Sequence, residues 1–472
     1  MTGESFMEKF QRVINLSGYQ NACETIIWPT RFPAEPEQRG TMQSEKSVAI
    51  LKEEELPTKW YNIQADLPKP LPPPRDDEAG EPRIKRLPNV LLGECLKQEF
   101  SSERWIPIPE EVIQLYAQAG RPRPLFRARR LEKKLNTPAR LYYKAEFYSP
   151  TGSHKVNTAL AQAWYARQEG YERLTTETGA GQWGTALAYA ASLAGLKTTI
   201  YWVRAVHDWK VQRRLFMKLY GAEVFASPSN KTKAGRALLK KDKHHPGSLG
   251  IAVSEGLQDA ESDDKAIYCL GSVLNHVLLH QTIVGLETQK QFEQFGDYPD
   301  IMISCLGGGS NFGGFTLPFL GEAVKGRNIK FIAAQSAVAP NLQGQYKYDF
   351  ADHAEMTPQL MMYTLGHQKS MKPIRGDGLR YHAAAPLLSL LRHEGYIDTI
   401  AYPANEKYVF DRARTFIQTE GFLPAPESAY SICCAMDEAV KCRETKEKKV
   451  IAFNISGHGF MDMEGFADVL KL

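Results

Sequence analysis

"ERLTTETGAGQWGTALAYAASLAGLKTTIYWV", residues 172–203, decides the fold. ERLTTET reads as a strand that runs into a loop, and the loop holds Gly179, Gly181 and Gly184. WGTALAYAASLAG (183–195) is helix-forming and stops at Gly195. KTTIYWV (197–203) is a second strand, rich in β-branched and aromatic residues. Strands alternating with helices of this length predict a parallel sheet covered on both faces. The alternation extends in both directions. Upstream, ARLYYKAEF (139–147) reads as a strand, and KVNTALAQAWYARQEG (155–170) as a helix with a glycine stop. Downstream, DWKVQRRLFMKLYG reads as a helix ended by Gly221, and AEVFAS (222–227) as the next strand. A second series follows: PDIMISCL as a strand, a glycine-rich loop, a helix, and KFIAAQ (330–335) as a strand. KKVIAFNIS (448–456) adds a buried strand near the end. The expected fold is α/β: two open, mostly parallel-sheet lobes with helices on both faces, a ligand cleft between them, and an N-terminal extension.

We place the extension and a proline-rich arm at 1–90, one lobe at 91–285 and the other at 286–472. LPKPLPPPRDDEAGEPRIKRLP (67–88) should be extended, wrapping a surface or linking. Residues 1–46 carry no strong periodicity, and Met42 opens a new segment. The whole extension is expected to be peripheral, in part without fixed structure.

A chain of 472 residues with 43% hydrophobic content can build a large core. Its 58 basic and 54 acidic residues leave a net charge of only +4, spread along the chain, so nucleic acid is not an expected partner. Seven cysteines (Cys23, Cys95, Cys269, Cys305, Cys433, Cys434 and Cys442) show no C-x-x-C pair. Reduced thiols and a cytoplasmic location fit that pattern. No apolar run reaches membrane length. Glu4, Glu8 and Glu24 interrupt the first 30 residues, which lack the apolar core of a secretory signal.

In such sheets ligands bind beyond the carboxyl ends of strands, so the loops there carry the information. TTETGAGQWG (175–184) would expose backbone N–H groups at a helix N-terminus, a nest for a carboxylate. Glu177 sits inside it, badly placed for binding an anion and well placed for moving a proton; it could equally be a helix cap. CLGGGSNFGG (305–314) lets the backbone close on a guest, with Ser310 and Asn311 beside it. Phe312 replaces the third glycine of a dinucleotide fingerprint and no G-K-[ST] follows, which points to one phosphate ester. NISGHGF (454–460) would aim the Ser456 hydroxyl into the cleft. SPTGSHKVN (149–157) sets Lys155 at a helix mouth, where a bare ammonium is disfavoured by the helix dipole. His276 and His280 have the i, i+4 spacing of metal ligands, but no third ligand accompanies them, so we read them as packing or hydrogen-bonding residues and expect no metal.

A lysine at a helix mouth, a carboxylate nest and a cradle for one phosphate together suit pyridoxal 5′-phosphate, which forms an imine with lysine and acts on amino acids. With GRPRPL, SPTGSHKVN, TTETGAGQWG, GSLGIAVSE, LGSVLNHVLLHQT, CLGGGSN, GDGLRYH, EGFLPAPES and NISGHG in this order, the chain resembles the tryptophan synthase β-chain of the second type, from about residue 50 to the end. The resemblance implies a lyase that joins L-serine and indole into L-tryptophan. It implies that Lys155 holds the cofactor and shuttles protons, and that His154, Gly307, Gly308, Gly309, Ser310 and Asn311 hold its phosphate. The backbone of Thr178, Gly179, Ala180, Gly181, Gln182 and Trp183 would take the substrate carboxylate. Glu177 would be the acid–base group, with Ser456 facing the pyridine nitrogen and Glu427 near the ring. It further implies a homodimer without a tight α-subunit complex. The commoner β-chains read Gly-Leu-Asp-Tyr-Pro where this chain has Gly378-Leu379-Arg380-Tyr381-His382. Arg380 would suit a phosphate leaving group, so O-phospho-L-serine is an alternative donor; the other reading is that Arg380 pairs with Asp377 or another acid and does not face the substrate. A non-indole nucleophile, or a serine dehydratase-like reaction, is the other reading left open.

Overall fold

Alternate residues of single strands settle the layering. In Ile301–Cys305, the side chains of Ile301, Ile303 and Cys305 join one apolar cluster and Met302 joins another. In Val450–Ile455, Ile451, Phe453 and Ile455 face one cluster, Val450 and Ala452 the other. Strands buried on both faces need cover on both faces. The computed structural model describes residues 46–76 and 82–472, and it has the α/β architecture expected.

A seven-stranded sheet is built around these strands. Arg140–Ala145, Val450–Ile455, Ile301–Cys305, Lys330–Ser336 and Ile397–Tyr402 lie side by side and parallel. Leu125–Arg127 and Val48–Ala49 extend one edge antiparallel. A four-stranded parallel sheet runs in the order Glu223–Ser227, Lys197–Val203, Arg173–Thr178, Ala266–Tyr268. Helix Val156–Gln168 connects the two sheets and is buried on all sides from Val156 to Ala163. That explains why its sequence lacks a polar face.

The sheets do not divide the chain at residue 285. The larger one collects strands from before residue 146 and after residue 300, and the smaller one comes from the chain between them. The second half of the expected peripheral extension is also different. Val48–Ala49 is an edge strand, Trp60 is fully buried, and the Tyr61 N–H donates to Thr282 Oγ1 at 3.1 Å. A few large apolar residues set in polar text anchor this segment, because a buried indole ring outweighs its hydrophilic surroundings. The proline-rich arm does wrap a surface: Arg75 exchanges backbone hydrogen bonds with Gln359, and its guanidinium lies 3.8 Å above the Tyr348 ring. Residues 1–45, with Met42 and Cys23, lie outside the described residues.

His276 Nδ1 sits 2.9 Å from Glu99 Oε2, and His280 bonds Gln98 Oε1 at 2.7 Å and Thr158 Oγ1 at 3.0 Å. Both histidines are therefore hydrogen-bonding residues of the core. The six described cysteines are free and buried. Among the described residues no helix is long and apolar enough to cross a membrane.

Candidate active site

Lys155 reaches the cleft because the loop before it is stitched to the end of a distant strand. The His154 N–H donates to the Ser456 carbonyl at 2.8 Å, and the His458 N–H to the Gly152 carbonyl at 2.9 Å. Gly152 has φ +68°, and a Cβ there would lie 2.2 Å from the His458 ring, so only glycine fits. The chain then enters helix Val156–Gln168 with Lys155 at its cap. The lysine amine donates to the Gly271 carbonyl at 3.1 Å. Burial pulls its pKa down to about 8, with Glu177 and Glu427 opposing the shift.

Lys155 opens into a cavity between the glycine-rich loops. Of the residues expected there, His154, Glu177, Thr178 to Ala180, Gln182, Trp183, Gly307 to Asn311, Glu427 and Ser456 line it. Gly181 does not. It caps helix Gln182–Ala194 at φ +89°, and a Cβ would strike the Trp202 ring at 2.5 Å, so its glycine serves the turn rather than the lining. Arg380 is also outside. It donates to Asp377 Oδ1 at 3.0 Å and lines an adjoining pocket with His367, Lys369 and His382. Asp377, Gly179 and Tyr381 border both pockets.

The glycines after Ile301–Cys305 leave room only for backbone. A Cβ on Gly307 would meet the Gly378 carbonyl at 2.2 Å, one on Gly308 would meet Ser272 Oγ at 2.7 Å, and Gly309 has φ +124°. They end at the N-terminus of helix Ser310–Val324, whose free N–H groups suit an anion. The His154 ring, 3.1 Å from Ser310 Oγ, is kept neutral: burial and the charge on Lys155 push its pKa down to about 3. The Asn311 amide is directed away from this cradle, toward Ser304, Cys305 and Asn454. Asn311 therefore offers the cradle its main chain.

At the other end, Ser456 Oγ bonds Ser428 Oγ at 2.8 Å and lies 3.9 Å from Cys305 Sγ. Among the described residues no carboxylate hydrogen-bonds to it. Glu427 is held by Gln182 Nε2 at 3.0 Å and the Gly378 N–H at 2.9 Å, and burial raises its pKa. A glycine cradle for a phosphate, a half-buried lysine and an uncharged hydroxyl pair fit pyridoxal phosphate in donor chemistry.

Glu177 stands at a junction. It borders the lysine cavity and a second cavity, lined by Leu87, Val90, Val253, Leu257, Met356 and Leu360 among others. Tyr268 OH donates to Glu177 Oε2. Burial lifts the Glu177 pKa to about 7, against the pull of Tyr268 and Lys155. Reading the sequence missed Tyr268, Gly271, Ser272, Cys305, Asp377, Tyr381 and Ser428 as parts of this site. Cys305 directly precedes the cradle and could have been found; the rest are joined to it only by the fold.

The family model for pyridoxal-phosphate dependent enzymes matches residues 116–457. Tryptophan synthase beta chain 2 of Methanothermobacter thermautotrophicus is 54% identical over 424 residues, covering 89% of this chain and 98% of that one. Tryptophan synthase beta chain 2 of Pyrococcus furiosus is 51% identical over 425 residues, covering 89% and 95%. Among solved structures, an L-serine ammonia-lyase from Rhizomucor miehei aligns with TM-score 0.56 at 14% identity, over 74% of this chain and 97% of that one. The processed threonine deaminase isoform 2 of Solanum lycopersicum aligns with TM-score 0.54 at 17% identity, over 77% and 95%. Those two share the fold. With its glycine cradle, cleft lysine and matched length, this chain belongs to the tryptophan synthase β-chain family of pyridoxal-phosphate dependent enzymes.

Proposed function

We propose that this chain condenses L-serine with indole to give L-tryptophan and water, with pyridoxal phosphate as cofactor. The observation that carries this reading is the position of Glu177 between a polar cavity with a lysine and a second cavity lined mostly by apolar side chains. Once bound, the cofactor supplies an electron sink for the α-carbon of the amino acid. Lys155 anchors the cofactor and moves the α-proton; a pKa near 8 lets its amine both take and return a proton near neutrality. The N–H groups at the start of helix Gln182–Ala194 bind the carboxylate of serine. Glu177, with a pKa near 7, protonates the departing hydroxyl and then, as carboxylate, accepts the indole N–H. The apolar cavity excludes water, which would otherwise compete with indole for the β-carbon. Ser456, bonded to Ser428, would offer the ring nitrogen a hydroxyl, which does not hold a proton there as a carboxylate would. The working unit in this reading is a cytoplasmic homodimer acting without a tightly bound α-subunit.

The experiment is tryptophan formation from serine and indole by the purified holoenzyme, with Lys155→Ala beside it. The variant should lose both turnover and the visible absorbance of the lysine-bound cofactor; retention of both would remove Lys155 from this role. A second reading of the donor rests on the cations Arg380 and Lys369, which line the adjoining pocket. They favour an amino acid with an anionic leaving group, such as O-phospho-L-serine.

A further inference from the structure

We propose that Tyr268 is the positioning residue of Glu177: its hydroxyl orients the carboxylate and sets the pH above which that carboxylate can accept the N–H of the acceptor. This rests on the acid–base role given to Glu177 above.

The sheet itself brings the two together. Ala266–Tyr268 pairs in parallel with Arg173–Thr178, with Tyr268 opposite Thr175. Glu177 lies two residues further along, so both side chains leave the same face as diagonal neighbours, within reach of a long aromatic side chain. The tyrosine ring is fixed from behind. Gly256 of helix Leu249–Glu261 lies against it, and a Cβ on Gly256 would come within 2.9 Å of Tyr268 Cε2. The phenol then has one carboxylate oxygen to donate to, Glu177 Oε2. Thr176 Oγ1 is a weak competitor: it is 3.4 Å from that oxygen and donates to the Cys269 carbonyl at 2.5 Å. Tyr381, which borders both cavities, donates instead to the Ala351 carbonyl at 2.7 Å.

Titratable groups meet Glu177 from each surrounding element. Lys155 comes from the helix start, Tyr268 and Cys269 from the neighbouring strand, Tyr381 from the segment after the 377–379 turn, and Asp352 lies beyond Tyr268. Burial raises the proton affinity of Glu177, and the Tyr268 hydrogen bond opposes it more than Lys155 does. A phenol of strongly raised pKa keeps its proton, so it stabilises the carboxylate and does not compete for the acceptor's proton. Without it the same buried carboxyl would stay protonated to higher pH.

The test is the pH dependence of kcat/KM for indole at saturating serine, measured on holoenzyme. Tyr268→Phe keeps the ring and deletes the donor. Its acidic limb should move up by about one pH unit, so the rate at pH 6.5 falls roughly tenfold while the rate above pH 9 stays within about threefold. Gly256→Ala, which pushes the ring without altering the phenol, should move the limb the same way by less, and it decides the matter if Tyr268→Phe fails to load cofactor. Glu177→Gln is the control and should be slow at every pH. If Glu177→Gln is slow but the limb stays in place in the tyrosine and glycine variants, Tyr268 only packs and the proposal is overturned. If Glu177→Gln matches wild type, the acid–base role of Glu177 falls, and the proposal with it.

Discussion

The His154 ring bonds Ser310 Oγ at 3.1 Å, joining the loop that carries Lys155 to the helix that forms the phosphate cradle. Its other nitrogen lies 3.4 Å from the Ser456 carbonyl, which can only accept. The tautomer with hydrogen on Nδ1 follows, and Nε2 then accepts from the serine hydroxyl. His154 thus acts on the cradle through Ser310. With its pKa near 3 it stays neutral through the physiological range.

His154→Ala should weaken pyridoxal phosphate binding by about tenfold, the scale of one buried hydrogen bond. At saturating cofactor, kcat should stay within about threefold. Fluorescence titration of cofactor-free protein measures the first and steady-state assay the second. The sign for stability is also defined. The folded pKa lies below the unfolded value of about 6.5, so the folded protein binds fewer protons at low pH. Stability should fall as pH drops from about 6.5 toward 3, and His154→Ala should flatten part of that slope in chemical unfolding.

The cradle, the nest and the lysine were legible because each is local: a strand end, glycines and a helix start within about ten residues. What joins them was not. The pairing of Ala266–Tyr268 with Arg173–Thr178 spans some ninety residues and is chosen by the whole sheet, so no pattern in the text announces Tyr268 beside Glu177. Segment 46–90 was misjudged for a related reason. Its charge and proline content describe a loop, while Trp60, Tyr61 and Ile63 are too few to show a period yet large enough to anchor it. Arg380 was read from its place in a motif, and its pairing with Asp377 three residues away depends on the 3-10 turn Asp377–Leu379, which no pattern marked.

The hydroxyls of Ser456 and Ser428 are 2.8 Å apart and buried, with Cys305 Sγ as the next neighbour. Ser456→Asp would put a carboxylate where it can hold a proton on the ring nitrogen. Transamination or racemisation should then rise relative to β-replacement, as followed by product analysis with serine in the presence and absence of indole. An unchanged product distribution would mean that the nitrogen does not face this pair.

Donor choice can be read from Arg380. If the cation-lined pocket receives a leaving phosphate, Arg380→Asp should lower kcat/KM for O-phospho-L-serine by about 2–4 kcal/mol, the range of a lost charge-assisted contact. Serine should be affected less than threefold. An equal fall for both donors would assign Arg380 to holding Asp377, with plain serine as the donor.

The strongest stability effect should come from the charges behind this wall. Asp462 lies 2.9 Å from Lys210 and 2.5 Å from Arg213, and Lys210 is also 3.4 Å from Asp377, all four buried. Burial alone would raise the pKa of Asp462, but Arg213 and Lys210 hold it well below the usual carboxylate range. Its contribution is therefore present above about pH 4 and lost as pH falls through the lower folded value. Asp462→Ala removes the carboxylate that bonds both cations and leaves Asp377 and Glu427 to answer them. That should cost about 3–5 kcal/mol at neutral pH, measured by urea unfolding. The pairing can be separated from mere packing by combining Asp462→Leu with Arg213→Met. If unpaired charge is the cause, the double variant should be more stable than either single one, because the uncompensated cation has been removed along with its partner. Additive losses would point to packing. Asp377 borders the lysine cavity, so Asp462→Ala should also lower kcat at temperatures where the protein is still folded. Full activity there would show that the cluster stabilises the fold without shaping the site.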